Sequence, residues 1–304
     1  MPVSVTEDGL TYEDGQLELS DGRTVAWRWW GEAGGTPVLR LQGTPGSRLF
    51  RHPDPEIQRG LGVRYLMADR PGYGGSTRLP GRGIAVIADD LAALLDHHHL
   101  DRVPVMGGSG GGPHALAIAA RHPDRVTAVS VIVGASRLEP DEVGRLVGVN
   151  AAGYAAAEVG WEAVHRLGVE LRERVLGDEG IAGVLSDAPS HDRALMQDPA
   201  WLRMVRAGNA EALRQGADGW TDEVMALHRD WDFELESVQA TVTWWHGDDD
   251  MNAPLSAAQR AAARLRRVDL RVWHGQGHLA ALEHEREILE ELLGRSAEVV
   301  RLPS

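Results

Sequence analysis

Between about Gln16 and Gly134, short apolar runs rich in Val, Leu and Trp alternate with longer segments in which apolar residues recur every three or four positions. The short runs suit strands and the longer segments suit helices that cover them, so the alternation predicts βα units joined into a largely parallel sheet. Strands are predicted at 16–19, 24–30, 37–41, 63–68, 103–107 and 126–133, and helices over 84–98 and 113–121. From 139 to 237 the strand signal stops, and the chain reads as amphipathic helices broken by Gly and Pro. Two further strands are predicted at 241–245 and 268–273, with a helix near 254–265 between them and a last helix near 280–293.

The expected fold class is therefore α/β: a doubly wound, mostly parallel eight-stranded sheet with a helical cap inserted before its last two strands. The expected boundaries are 1–137 and 239–304 for the two parts of the core and 138–238 for the cap. No internal repeat is visible.

Composition removes several chemistries. The 304 residues include no Cys, which excludes a disulfide scaffold, a thiolate nucleophile and a cysteine metal site. All 31 basic residues are Arg, so Schiff-base chemistry and the P-loop lysine are excluded as well. The formal net charge is -14, and no basic cluster offsets it, so neither nucleic acid nor an anionic membrane is an expected partner. The N-terminal residues lack the basic and apolar regions of a signal peptide, and no long uncharged apolar run follows. A soluble cytoplasmic protein, monomer or homodimer, is expected. The segment 138–238 holds 20 acidic residues against 9 Arg and so accounts for -11 of the -14. Such a cap would bias a pocket beneath it against anionic substrates.

The most specific local signal is Gly107-Gly108-Ser109-Gly110-Gly111, between a predicted strand and a predicted helix. A serine on a sharp strand-to-helix turn is held in a strained conformation, and the residues two away must lack a β-carbon for the chain to pass. The turn aims Ser109 at the N-terminus of the following helix, which favours a developing negative charge. A phosphate-binding loop is the rival reading, but neither the dinucleotide-binding spacing with its acidic residue nor the P-loop lysine is present.

A serine needs a base, and the base needs an orienting acid. The strand at 241–245 runs into His246-Gly247-Asp248-Asp249-Asp250-Met251-Asn252-Ala253-Pro254, and the last strand runs into Gly275-Gln276-Gly277-His278. Both loops follow strand ends, where open α/β sheets place their sites. His246, His274 and His114 are read as packing or hydrogen-bonding residues. The run His97-His98-His99 closes a predicted surface helix, and no metal is expected there.

Five ordered motifs together resemble the α/β-hydrolase fold family: Leu41-Gln42-Gly43-Thr44-Pro45-Gly46-Ser47, Asp69-Arg70-Pro71-Gly72-Tyr73-Gly74-Gly75-Ser76, the serine turn, the His-Gly-x-x-Asp-x-x-x-Pro segment and the Gly-x-Gly-His segment. The resemblance spans nearly the whole chain. It implies Ser109 as nucleophile, Asp250 as the acid with Asp248 as runner-up, and His278 as the base. It also implies backbone N–H groups of Thr44 and Gly110 as the oxyanion hole, and no cofactor. Many relatives carry His where this chain has Gln42, whose amide would take over the shaping of that loop. Haloalkane dehalogenases and epoxide hydrolases share the Asp-Arg-Pro-Gly-Tyr-Gly loop but use an aspartate nucleophile, so Ser109 argues against both. Gly110 and Thr44 depart from the prolyl-aminopeptidase pattern.

The implied activity is a cofactor-free serine hydrolase acting on a neutral small-molecule ester, thioester or lactone through an acyl-enzyme. Carbon–carbon bond hydrolysis or cyclisation on the same triad is the enzymatic alternative, and a ligand-binding protein on a hydrolase scaffold the non-enzymatic one. Trp161, Trp220 and Tyr154, and also Trp201 and Trp231, are candidates to line an apolar pocket.

Overall fold

The computed structural model describes residues 4–6, 9–177 and 188–301. Its sheet has nine strands rather than eight, in the order β1-β2-β3-β5-β4-β6-β7-β8-β9. The strands are β1 (Ser4–Val5), β2 (Thr11–Glu18), β3 (Thr24–Gly31), β4 (Thr36–Leu41), β5 (Val63–Ala68), β6 (Val103–Gly108), β7 (Val126–Ile132), β8 (Thr241–Gly247) and β9 (Val268–Trp273). The extra strand β1 is two residues long and pairs with β2 at the sheet edge. Strand β2 also starts five residues earlier than its apolar pattern suggests. Tyr12, Glu13 and Asp14 are only half-buried, so backbone pairing with β3 extends the strand where side-chain hydrophobicity gives no sign.

From β5 onward all neighbours are parallel, and β1, β2 and β3 form an antiparallel edge. Alternate residues of β5 face opposite sides: Val63, Tyr65 and Met67 join one core cluster, Leu66 and Ala68 the other. A strand buried on both faces needs helices on both. Helices α1 (Glu56–Leu61) and α11 (Glu285–Arg301) cover one side, and α2 (Val86–His97), α3 (Gly111–Arg121) and α10 (Leu255–Ala262) the other.

Between β7 and β8 the described residues form only helices: α4 (Pro140–Val143), α5 (Gly148–Val159), α6 (Trp161–Leu176), α7 (Ser190–Leu195), α8 (Pro199–Ala212) and α9 (Asp218–His228), plus one short 3-10 turn. They share a small core of Ala157, Val164, Leu171, Val175, Ala212, Leu213 and Trp220, into which Tyr73 inserts from the loop after β5. Among the described residues no helix is long and apolar enough to cross a membrane.

Candidate active site

Ser109 sits at the turn from β6 into α3 with φ 51, in the left-handed region that side chains seldom adopt. Its N–H donates to the Ile132 carbonyl at 2.8 Å, and its carbonyl accepts from Gly112 at 2.9 Å and Ala135 at 3.0 Å, so the backbone around it is fully engaged. A β-carbon on Gly107 would lie 2.4 Å from the Gly111 carbonyl oxygen, and one on Gly111 would lie 2.3 Å from the Leu41 carbonyl oxygen. The glycines are therefore required by close backbone approach on both sides of the serine.

The structure brings Ser109, His278 and Asp250 into one hydrogen-bonded chain. Ser109 Oγ is 2.9 Å from His278 Nε2, and His278 Nδ1 is 2.8 Å from Asp250 Oδ2. A carboxylate can only accept, so Nδ1 carries the proton and Nε2 presents its lone pair to the serine hydroxyl. Asp250 is 6% exposed, and its Oδ1 accepts the N–H groups of Asn252 at 2.8 Å and Ala253 at 2.9 Å. Burial pushes this carboxyl up, but the neighbouring His278 imidazole and the hydrogen bonds outweigh it and hold it below the ordinary carboxylate range. Burial likewise pulls His278 down, and the Asp250 carboxylate more than reverses this, leaving the imidazole above its ordinary value.

The neighbouring candidates do other work. Asp248 accepts from His274 Nδ1 at 2.8 Å and from the Gly275 N–H at 2.7 Å, tying the ends of two loops at the surface. His246 donates through Nε2 to the Ala253 carbonyl at 2.6 Å and accepts the Trp244 indole N–H at 3.3 Å, which holds the Asp250 loop from beneath. His98 packs edge-on against Trp27 and accepts the Trp29 indole N–H at 3.2 Å, and burial pushes its pKa down to about 4. Among the described residues no group of His, Asp and Glu is arranged to hold a metal.

Thr44 and Gly110 lie against each other beside Ser109: a β-carbon on Gly110 would meet Thr44 Oγ1 at 2.1 Å. Among the described residues, neither N–H meets a protein acceptor. The loop carrying Thr44 is braced by Arg70, which donates to the Gln42 carbonyl at 2.6 Å, the Gly43 carbonyl at 2.8 Å and Thr44 Oγ1 at 3.1 Å. Gln42 thus serves through its backbone. Its buried side-chain amide has no protein partner, so it does not shape the loop in the way expected.

Residues with no sequence signal complete the arrangement. Glu223 of α9 is fully buried, accepts the Thr44 hydroxyl at 3.1 Å, and pairs with Arg70 at 2.9 Å, with His114 at 3.0 Å and with Arg82. Burial would push Glu223 up, but Arg70 and Arg82 override it and hold it well below the ordinary range. Asp192 of α7, also fully buried, accepts the N–H groups of His278 and Leu279 at 3.0 Å each. A β-carbon on Gly277 would sit 2.7 Å from the Asp192 carboxylate oxygens, so glycine there admits the contact. Composition marks this segment only as acidic and cannot single out two of its twenty carboxylates.

Two cavities of about 200 Å³ and about 230 Å³ meet at Thr44, Pro45, Ser109, Asn209, His278 and Leu279. Trp220 and Tyr154 line the first, together with Leu171, Val175 and Leu227. Trp161 does not line either cavity: its indole N–H donates to Asp222 at 2.9 Å, and its ring stacks on His165. Trp201 packs on His52 and Trp231 on Phe233, and neither is among the residues lining the two cavities.

Residues 36–171 match a family model described as alpha/beta hydrolase fold. A protein of Caulobacter vibrioides (strain NA1000 / CB15N), which carries the provisional name carbamate hydrolase RutD, is 30% identical over 286 residues, covering 90% of this chain and 90% of that one. Among solved structures, a carboxylesterase of Nitrososphaera gargenis superposes with TM-score 0.68 at 21% identity, covering 94% of this chain and 99% of that one. The enol-lactonase of Burkholderia xenovorans LB400 superposes with TM-score 0.67 at 18% identity, covering 92% and 100%.

Proposed function

Because the chain belongs to the α/β-hydrolase fold family, we propose that it is a serine hydrolase that cleaves a neutral carboxylic ester, thioester or lactone through an acyl-enzyme. The observation that carries this reading is the continuous chain from Ser109 Oγ to His278 Nε2 at 2.9 Å and from His278 Nδ1 to Asp250 at 2.8 Å. Ser109 attacks the substrate carbonyl as its proton passes to His278 Nε2. The imidazolium so formed is stabilised and oriented by Asp250, whose buried carboxylate is held ionised. The oxygen that gains charge sits at the free N–H groups of Thr44 and Gly110, where the start of α3 adds its dipole.

His278 then returns the proton to the leaving alcohol or thiol. Water enters along the same path, His278 removes its proton, and collapse of the second tetrahedral intermediate releases the acid and restores Ser109. In a lactone the leaving group stays attached, and the product is a hydroxy acid. The names of the relatives, a carbamate hydrolase, a carboxylesterase and an enol-lactonase, are all compatible with attack on an acyl carbon. A neutral substrate is favoured because, among the described residues, no Arg lines the first cavity and Arg40, at the second, is already paired with Glu285 at 2.8 Å.

The test is intact mass after treatment with a fluorophosphonate, on the native chain and on His278→Ala. One adduct on Ser109, lost in His278→Ala, is expected. A folded native chain that takes no adduct overturns the proposal.

A further inference from the structure

Helix α8 is held against the core at the turn that carries Gly208. The Gly208 carbonyl accepts the Ser47 hydroxyl at 2.7 Å, and a β-carbon on Gly208 would lie 3.3 Å from Phe50 Cβ, so the helix backbone rests directly on the loop after β4. The next residue, Asn209, is thereby fixed at the junction of the two cavities, beside Ser109, His278 and Thr44. It is 6% exposed. Its backbone carbonyl accepts the Leu213 N–H at 2.9 Å, but among the described residues its side-chain amide hydrogen-bonds to no protein group. Asn150, on the wall of the first cavity, contrasts with it: its amide donates to Asn252 Oδ1 at 3.0 Å.

Unlike the amide of Gln42, that of Asn209 is not sealed from solvent but opens onto the junction of the cavities, so its hydrogen bonds are completed there by water or by a bound group rather than by the protein. We infer that Asn209 reads a neutral hydrogen-bonding group, a hydroxyl or an amide, carried by the substrate on the atom beside its scissile carbonyl. The inference rests on the serine-hydrolase reading above. The position follows from the junction, which Asn209 shares with the proposed nucleophile and base. The chemistry follows from the side chain, which offers two N–H donors and one acceptor to a group that both gives and takes a hydrogen bond. A carboxylate in the same place would be buried without a free cation, since Arg40 is engaged by Glu285.

Phenyl 2-hydroxypropanoate and phenyl 2-methylpropanoate have nearly the same shape and differ by a hydroxyl in place of a methyl. The measurement is the ratio of their kcat/KM values in the native protein and in Asn209→Leu, because their intrinsic reactivities cancel between the two proteins. The native ratio is expected to favour the hydroxy ester and to fall about tenfold or more in the variant. Asn209→Ala gives the same readout should the leucine not be accommodated. Equal ratios in native protein and variant overturn the inference, as they would if Asn209 held only a water that any substrate displaces. Should neither ester turn over, the protection each gives Ser109 against fluorophosphonate labelling supplies the ratio. Labelling of native protein is followed in parallel: no adduct overturns the serine-hydrolase reading and this inference with it, whereas an adduct with equal ratios overturns this inference alone.

Discussion

Asp192 Oδ2 accepts the backbone N–H of His278 at 3.0 Å, so a carboxylate from the helical segment between β7 and β8 grips the residue that touches Ser109. The other oxygen takes the next N–H, that of Leu279, which fixes the direction of the loop as well as its position. Asp192 also adds negative charge near the imidazole, a smaller influence than Asp250 in the same direction. In Asp192→Asn one acceptor and the charge are lost. The base acts as neutral imidazole, so activity rises with pH through the His278 pKa, and removing a charge that raises that pKa moves the acid limb of kcat/KM to lower pH. A pH profile of native protein and variant checks this; an acid limb that stays in place is the contrary result.

Asp250 and Asp248 are two residues apart, but only one faces the imidazole. Asp250→Asn is expected to lower kcat by about 10⁴-fold, because an amide there favours the wrong tautomer of His278. Asp248 ties His274 and Gly275 at the surface, and Asp248→Asn is expected to stay within a few-fold of native. Steady-state kinetics on one aryl ester compares the two directly, and the reverse order would move the acid to Asp248.

Gly110→Ala places a methyl group 2.1 Å from Thr44 Oγ1, so Thr44 must move and its N–H with it. Losing one oxyanion donor costs about 10²–10³ in kcat. The loss is expected to be largely in kcat rather than KM, and to be partly recovered in Gly110→Ala combined with Thr44→Gly, which removes the colliding side chain. Failure of the double variant to regain any rate would show that the contact is not the cause.

Glu223→Gln leaves Arg70 and Arg82 buried without their shared counter-charge, at a cost of about 3–5 kcal/mol in folding stability. The folded-state pKa of Glu223 lies well below its ordinary 4.5, so its stabilising contribution is fully present above that value and is lost as pH falls below it toward the folded-state pKa. Urea unfolding at neutral pH is expected to show the full difference between native and variant, and unfolding under acid conditions a smaller one. A difference that does not shrink on acidification would mean that packing, not charge, supplies it.

Much of this was legible in the chain. Apolar runs marked the central parallel strands, because a strand buried on both faces is apolar along most of its length, as Val103 to Met106 are, whereas β9, half-buried, showed itself by the alternation of Val268, Leu270 and Val272 with Asp269 and Arg271. The serine turn was legible because Gly107 and Gly111 meet a steric demand that only a missing β-carbon satisfies. What periodicity missed was β1 and the first half of β2, whose pairing depends on backbone hydrogen bonds and leaves no mark in the side chains. The aromatic residues were sorted only in part. Composition nominated Trp161, Trp220 and Tyr154 alike, yet Trp161 turns its ring to His165 and its indole N–H to Asp222.

The sequence by itself determined what short-range sterics and periodicity dictate: the sheet, the strained serine, and the loops that bear His278 and the three aspartates. Only the tertiary structure decided which aspartate meets the imidazole and which carboxylates of the acidic segment are buried against the site. It alone placed Glu223 on Thr44, 179 residues away in sequence, and Asp192 on His278, 86 residues away. A helical pattern states which face of a helix is buried but not what lies opposite it. The partners of Glu223, Asp192 and Asn209 are therefore set by how α7, α8 and α9 dock on the core, an outcome of packing that no local pattern records.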